Sequence, residues 1–292
     1  MLQLADIDTP TIADDEVLIR VCAAGVDPGV WHLMTGLPYL IRLFGFGLTR
    51  PKNPVPGMDV AGVVEAVGKN VTTAKPGDEV YGICKGAYAE YACAKAAKLA
   101  PKPANLTFTQ AAAVPISATT ALQALRDVAK VKPGQTVLIV GASGGVGSFA
   151  VQLAKAMGAH VTGVCSTSKL DLVRSLGADD VIDYTREDFA DGQRKFDAIL
   201  DIAGNRALSH LRRALTPRGT LVIVGGESGG RWLGGTDRQL RAMLLSLFIR
   251  QTLTSFINAE RRDDLLYLKD LLEAGRVPPV IDRTFPLSEA PD

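Results

Sequence analysis

Apolar and polar positions follow two different rhythms along the chain. Up to about residue 115, short runs of β-branched residues stand between glycine and proline turns. Such runs occupy 17–21, 60–67 and 79–83, the last after the turn Lys75-Pro76-Gly77-Asp78. This spacing predicts a small, largely antiparallel β domain. From about 116 to 276 the rhythm changes. Apolar runs at 137–140, 161–165, 181–184, 198–203, 221–224 and 252–257 predict strands. Helices are predicted between and after them. Val146, Phe149, Ala150, Leu153, Ala154 and Met157 share one helical face, Leu208, Leu211 and Leu215 another, and 169–176, 238–250 and 265–272 complete the series. Continuous apolar strands alternating with helices predict a parallel sheet covered on both faces. Residues 277–285 return to the first rhythm. The predicted domains are therefore 1–115, 116–276, and a return to the first domain over 277–292.

Composition narrows the function classes. The 292 residues hold 32 Lys and Arg against 31 Asp and Glu, a net charge of +1. No basic field is present to recruit nucleic acid or an anionic membrane. Cys22, Cys84, Cys93 and Cys165 lie far apart and form no CxxC pair, which fits a reducing compartment. The stretches 33–48 and 243–252 are the most apolar, and both are too interrupted for the roughly 20 apolar residues of a membrane span. The first residues carry no secretory signal. A cytoplasmic protein with neither membrane nor nucleic-acid partner is expected.

The chemistry concentrates after the first strand of the alternating segment. Val137-Leu138-Ile139-Val140 runs into Gly141-Ala142-Ser143-Gly144-Gly145-Val146-Gly147, which opens a helix. This approximates the dinucleotide fingerprint G-x-G-x-x-G, with Ala142 at its first position. Gly144 lets a pyrophosphate approach the backbone, and Gly147 lets the helix pack close to the strand. Ser143, Gly145 and Val146 complete the turn. An NAD enzyme usually ends its second strand with Asp or Glu, to hold the ribose 2′-hydroxyl. Here Cys165-Ser166-Thr167-Ser168-Lys169 offers hydroxyls and a cation instead. Ser166, Lys169 and Tyr184 therefore point to the 2′-phosphate of NADPH. Ser166 also suits a helix N-cap, and Lys169 a solvated surface. Ala203, Gly204 and Asn205 after the fourth strand, and Val224 and Gly225 after the fifth, are small enough to admit the nicotinamide side. Glycines there also serve tight turns.

Several segments together resemble the medium-chain dehydrogenase/reductase superfamily, in its zinc-less quinone-oxidoreductase-like branch, which includes the zeta-crystallin-like proteins. They are Gly57-Met58-Asp59-Val60-Ala61-Gly62-Val63-Val64, Lys75-Pro76-Gly77-Asp78-Glu79-Val80, Ala112-Ala113-Val114-Pro115, the glycine turn, and Phe196-Asp197-Ala198-Ile199-Leu200-Asp201. The resemblance implies an α/β chain: a Rossmann doubly wound parallel sheet plus a GroES-like, mainly β catalytic domain. It implies a homodimer paired through 252–257, and Thr120 near the nicotinamide. Zinc relatives carry Cys and His where this chain has Asp27 and Met58, so no metal is expected. Asp27 stands where related quinone reductases often carry Asn, which implies a polar contact to substrate or nicotinamide. Tyr39, a phenol in an apolar loop, is a candidate proton donor, with packing as its plainer role. The stretch 33–48 suggests a lid over an apolar or aromatic carbonyl substrate.

Three functions stay open: reduction of a quinone, enone or related carbonyl by NADPH; a zinc-independent alcohol dehydrogenase; and a weakly catalytic NADPH-binding sensor or structural protein. Relative to the resemblance, an opening strand and a closing helix and strand are missing at the two ends. A fragment, or a chain of lowered stability, is the expectation there.

Overall fold

The structure, a computed structural model, describes residues 2–39, 42, 47, 51–225 and 230–290. In chain order its strands are β1 (Glu16–Ala24), β2 (Asp59–Val67), β3 (Glu79–Ile83), β4 (Tyr91–Lys95), β5 (Leu99–Pro101), β6 (Thr136–Val140), β7 (His160–Cys165), β8 (Asp180–Asp183), β9 (Phe196–Asp201), β10 (Leu215–Ile223) and β11 (Thr252–Ser255). Its helices are α1 (Pro28–Thr35), α2 (Phe108–Ala112), α3 (Pro115–Gln123), α4 (Gly145–Ala156), α5 (Leu170–Ser175), α6 (Leu208–Ala214), α7 (Gly230–Leu233), α8 (Thr236–Ser246) and α9 (Arg262–Glu273).

Two compact units divide the chain. One comprises Met1–Gly36, Gly45–Thr119 and Ala259–Asp292, and the other Leu37–Phe44 and Thr120–Asn258. The first is built on a five-stranded sheet in the order β4-β1-β2-β3-β5, with every pairing antiparallel. Val17, Ile19, Val60, Val64, Val80 and Leu99 form its core. The helix α9 also belongs here. Its period continues the alternating segment, yet Leu265, Leu268 and Leu272 are buried in the first unit. Tyr81 donates to the carbonyl of Leu265 at 2.6 Å and Asn105 to that of Leu272 at 3.0 Å. Residues 277–285, expected to return to the first domain, run without regular structure.

The second unit carries a six-stranded parallel sheet, β11-β10-β9-β6-β7-β8. Its strands are continuous apolar runs because helices cover both faces. Leu138, Val164, Ile182, Ile199, Leu211, Leu221 and Leu253 pack its core. The chain runs outward from β6 to β8, then returns to lay β9 on the other side of β6. That reversal is a topological switch point, where open α/β sheets bind ligands at strand carboxyl ends.

Candidate active site

The carboxyl edge of the parallel sheet is opened by one repeated bond pattern. The Val164 carbonyl accepts N–H bonds from both Gly141 and Ala142, at 3.1 and 3.0 Å. The Val140 carbonyl accepts from Ile202 and Ala203, at 3.0 and 3.1 Å, and the Asp201 carbonyl from Val224 and Gly225, at 3.0 and 3.2 Å. Each doubled bond marks the end of a ladder, so three exits leave along one edge.

The glycine turn occupies the middle of that edge. Gly141 takes φ +91°, where a side chain is strained. A Cβ on Gly147 would lie 2.1 Å from the Gly141 carbonyl oxygen, so α4 starts as close to β6 as backbone allows. A Cβ on Gly144 would meet only one atom, at 3.6 Å. Gly144 and Gly145 are exposed, and no side chain caps the first turn of α4. The first amides of a twelve-residue helix thus stand open at its positive end. A dinucleotide pyrophosphate fits this cradle.

Ser166 and Lys169 lie in the exit from β7, and Tyr184 directly follows β8 on the same edge. Ser166 is the N-cap of a short 3-10 turn, but its hydroxyl makes no cap bond; it sits 3.4 Å from the Ser168 hydroxyl. Two residues missed from sequence shape this corner. Asp183, almost fully buried, accepts from the Thr167 hydroxyl at 2.5 Å, and from the amide and hydroxyl of Thr185 at 3.0 and 2.7 Å. The Thr167 bond above all holds its carboxyl below the ordinary carboxylate value. Arg206 lies 5.7 Å from the Tyr184 ring centre, and both line a cavity of about 350 Å³ with Thr185, Arg186 and His210. The signal for Asp183 was a carboxylate closing a strand. Nothing local marked Arg206.

Ala203, Gly204, Asn205, Val224 and Gly225 fall at the β9 and β10 exits. A Cβ on Gly225 would lie 2.0 Å from the Ile202 carbonyl oxygen, so those two exits run side by side. In the same unit, Thr120 accepts from Asn258 at 3.0 Å. Tyr39 packs edge-on against Trp232, ring centres 5.2 Å apart, with the Arg42 guanidinium 4.9 Å from its ring. These contacts give Tyr39 a packing role. Residues 40, 41, 43–46 and 48 of the expected lid over 33–48 lie outside the described residues.

Asp27 lies in the first unit. It caps α1, one carboxylate oxygen accepting from Val30 at 3.3 Å. Its other oxygen is buried and has no hydrogen-bond partner among the described residues. Burial raises its pKa, against the lowering by the Gly29 and Val30 amides and by His32. Asp59, 2% exposed, accepts from the Ile116 amide at 3.0 Å and is pushed well above the carboxylate range by burial, then by the charge of Asp27. Burial, then Asp27 and Asp59, push the Tyr88 phenol up to about 12; that phenol donates to Gly25 at 3.3 Å. Among the described residues, no group of three or more His, Cys, Asp and Glu side chains could hold a metal, and no helix is long and apolar enough to cross a membrane.

Two family models match the chain. An alcohol dehydrogenase GroES-like domain covers 13–104, and a zinc-binding dehydrogenase domain covers 176–292. The chain is 35% identical to the 2-methylene-furan-3-one reductase of Solanum lycopersicum, over 97% of this chain and 68% of that protein. It is 34% identical to the quinone oxidoreductase of Sus scrofa, over 98% and 86%. A mycobacterial protein solved in complex with NADPH superposes with a TM-score of 0.81 at 28% identity, covering 98% of this chain and 89% of that one.

Proposed function

The chain belongs to the quinone-oxidoreductase-like branch of the medium-chain dehydrogenase/reductase superfamily, and on that premise we propose that it reduces a quinone, enone or related apolar carbonyl with NADPH. The glycine cradle at the carboxyl edge carries this reading. Small residues and unpaired amides converge there, on the side where α/β sheets take dinucleotides. Bound there, the cofactor supplies the hydride. The chain supplies grip and placement. The amides after Gly144 hold the pyrophosphate. Ser166, Lys169 and Tyr184 take the 2′-phosphate, and the β9 and β10 exits flank the nicotinamide side.

Addition of hydride to an enone or quinone leaves an enolate or phenolate, which needs a proton rather than a strong Lewis acid. Asp27, whose pKa is raised by burial and whose second oxygen is unpartnered among the described residues, is the candidate to supply that proton. Thr120 is a polar neighbour of the nicotinamide. Tyr39 is the weaker donor candidate, because its ring is committed to Trp232 and Arg42. Zinc is not part of the proposal, since Asp27 and Met58 do not supply a thiolate and an imidazole.

The decisive assay is NADPH oxidation across quinones, enones and aldehydes, with and without a chelator. Turnover of quinones or enones, insensitive to chelator, is expected. Chelator sensitivity would overturn the zinc-independent reading. Tight binding without turnover on any acceptor would favour a sensor.

A homodimer is also proposed. β11 is the outer strand of the parallel sheet, and beside it Leu244, Leu247, Phe248 and Ile257 are exposed apolar side chains. A second copy paired along this edge would cover both the open ladder and that apolar surface.

A further inference from the structure

Asp201 closes β9 with no solvent exposure, and four bonds converge on it. Its main-chain carbonyl accepts from Val224 and Gly225 at 3.0 and 3.2 Å. One carboxylate oxygen accepts from Gly204 at 3.2 Å, and the other receives the Arg238 guanidinium, which reaches in from α8. Arg238 has a second arm: its Nε donates to the Arg206 carbonyl at 3.0 Å. One side chain therefore grips both ends of the turn 202–206. Through Asp201 it also steadies the β10 exit, which runs against that turn.

Stability alone is a poor reason for this arrangement. Burying an ion pair costs desolvation that its attraction barely repays, and apolar substitutes of similar volume often fold as well or better. The remaining Arg238 nitrogen, Nη1, is buried with no hydrogen-bond partner among the described residues. What the pair provides is shape. The backbone it fixes, Ala203, Gly204 and Gly225, is the small-residue rim of the sheet edge.

We propose that Arg238 is a positioning residue for the nicotinamide half of the cofactor, clamping the turn 202–206 and, through Asp201, the β10 exit in the form that receives the ring and its ribose. This rests on the cofactor reading above. Arg238 contacts neither hydride donor nor acceptor; it acts through Asp201 and the backbone.

Fluorescence titration separates local from general effects when two ligands are compared: NADPH, and 2′,5′-ADP, which lacks the nicotinamide half. Arg238→Gln should weaken NADPH by about tenfold or more, the scale of one lost charge-assisted bond, and leave 2′,5′-ADP within about twofold. Arg238→Lys keeps a charge beside Asp201 but cannot reach Arg206 as well, so it should recover part of the loss. Asp201→Asn should behave like Arg238→Gln, and the double variant should be no weaker than the worse single one. If Arg238→Gln does not fold, Arg238→Lys and Asp201→Asn carry the same comparison. Unchanged NADPH affinity in folded variants overturns the clamp, and so does equal weakening of both ligands. A wild-type protein that binds neither ligand overturns the cofactor reading itself.

Discussion

Lys169 and Asp59 show how differently single residues are read. Lys169 is proposed to meet the 2′-phosphate, in a segment whose strand end is countable from sequence. Lys169→Ala should cost NADPH binding about 1.5–3 kcal/mol and leave NADH nearly untouched. Titrations showing equal loss for both cofactors would refute the assignment. Asp59 is different: nothing in its neighbours along the chain announces a buried carboxyl beside Asp27 and Tyr88. Burial raises its pKa in the folded state, so the fold favours its acid form. The stability that this form contributes is complete below the ordinary value near 3.8 and is lost as pH rises through the folded value. Asp59→Asn keeps the shape and an oxygen for the Ile116 amide. It should melt higher than wild type at pH 8, with the gap closing toward pH 4. A gap constant with pH would show that Asp59 ionises freely. The bond from Thr167 to Asp183 was also hidden, because the two are brought together only by β7 and β8 lying side by side.

Whole elements were easier to read than the partners of single residues. Buried parallel strands are continuous apolar runs, so β6, β7 and β9 were legible. The glycine turn after β6 was legible because its spacing is local. α9 misled for the same reason: its period names an amphipathic helix but not the sheet it covers, and Leu265 and Leu272 are buried in the first unit. The edge formed by β11 and its exposed apolar neighbours carries the dimer prediction. Phe248 is 83% exposed, so Phe248→Glu costs little within one copy. Sedimentation should show wild-type dimers and a shift toward monomers in Phe248→Glu, with cofactor affinity unchanged. A monomeric wild type at micromolar concentration would remove the proposal.

Across the molecule, two units each hold their own core. Cofactor should therefore stabilise them unequally. A ligand at a hundred times its Kd contributes about 2.7 kcal/mol to whatever must stay folded to bind it. Hydrogen exchange with saturating NADPH should slow amides at 141–147 and 202–204, while β1 and β2 change little. Uniform protection, or none, would contradict binding at the sheet edge. The sequence by itself determined the two rhythms and the glycine turn, because those signals lie within a few residues of one another, and its ordered motifs from Gly57 to Asp201 carried the resemblance to the family. Only the tertiary structure decided that α9 belongs to the first unit, that Asp59 is buried beside a second carboxylate, and that Arg238 holds Asp201. Each of these depends on burial and on partners dozens of residues away, which no local pattern encodes.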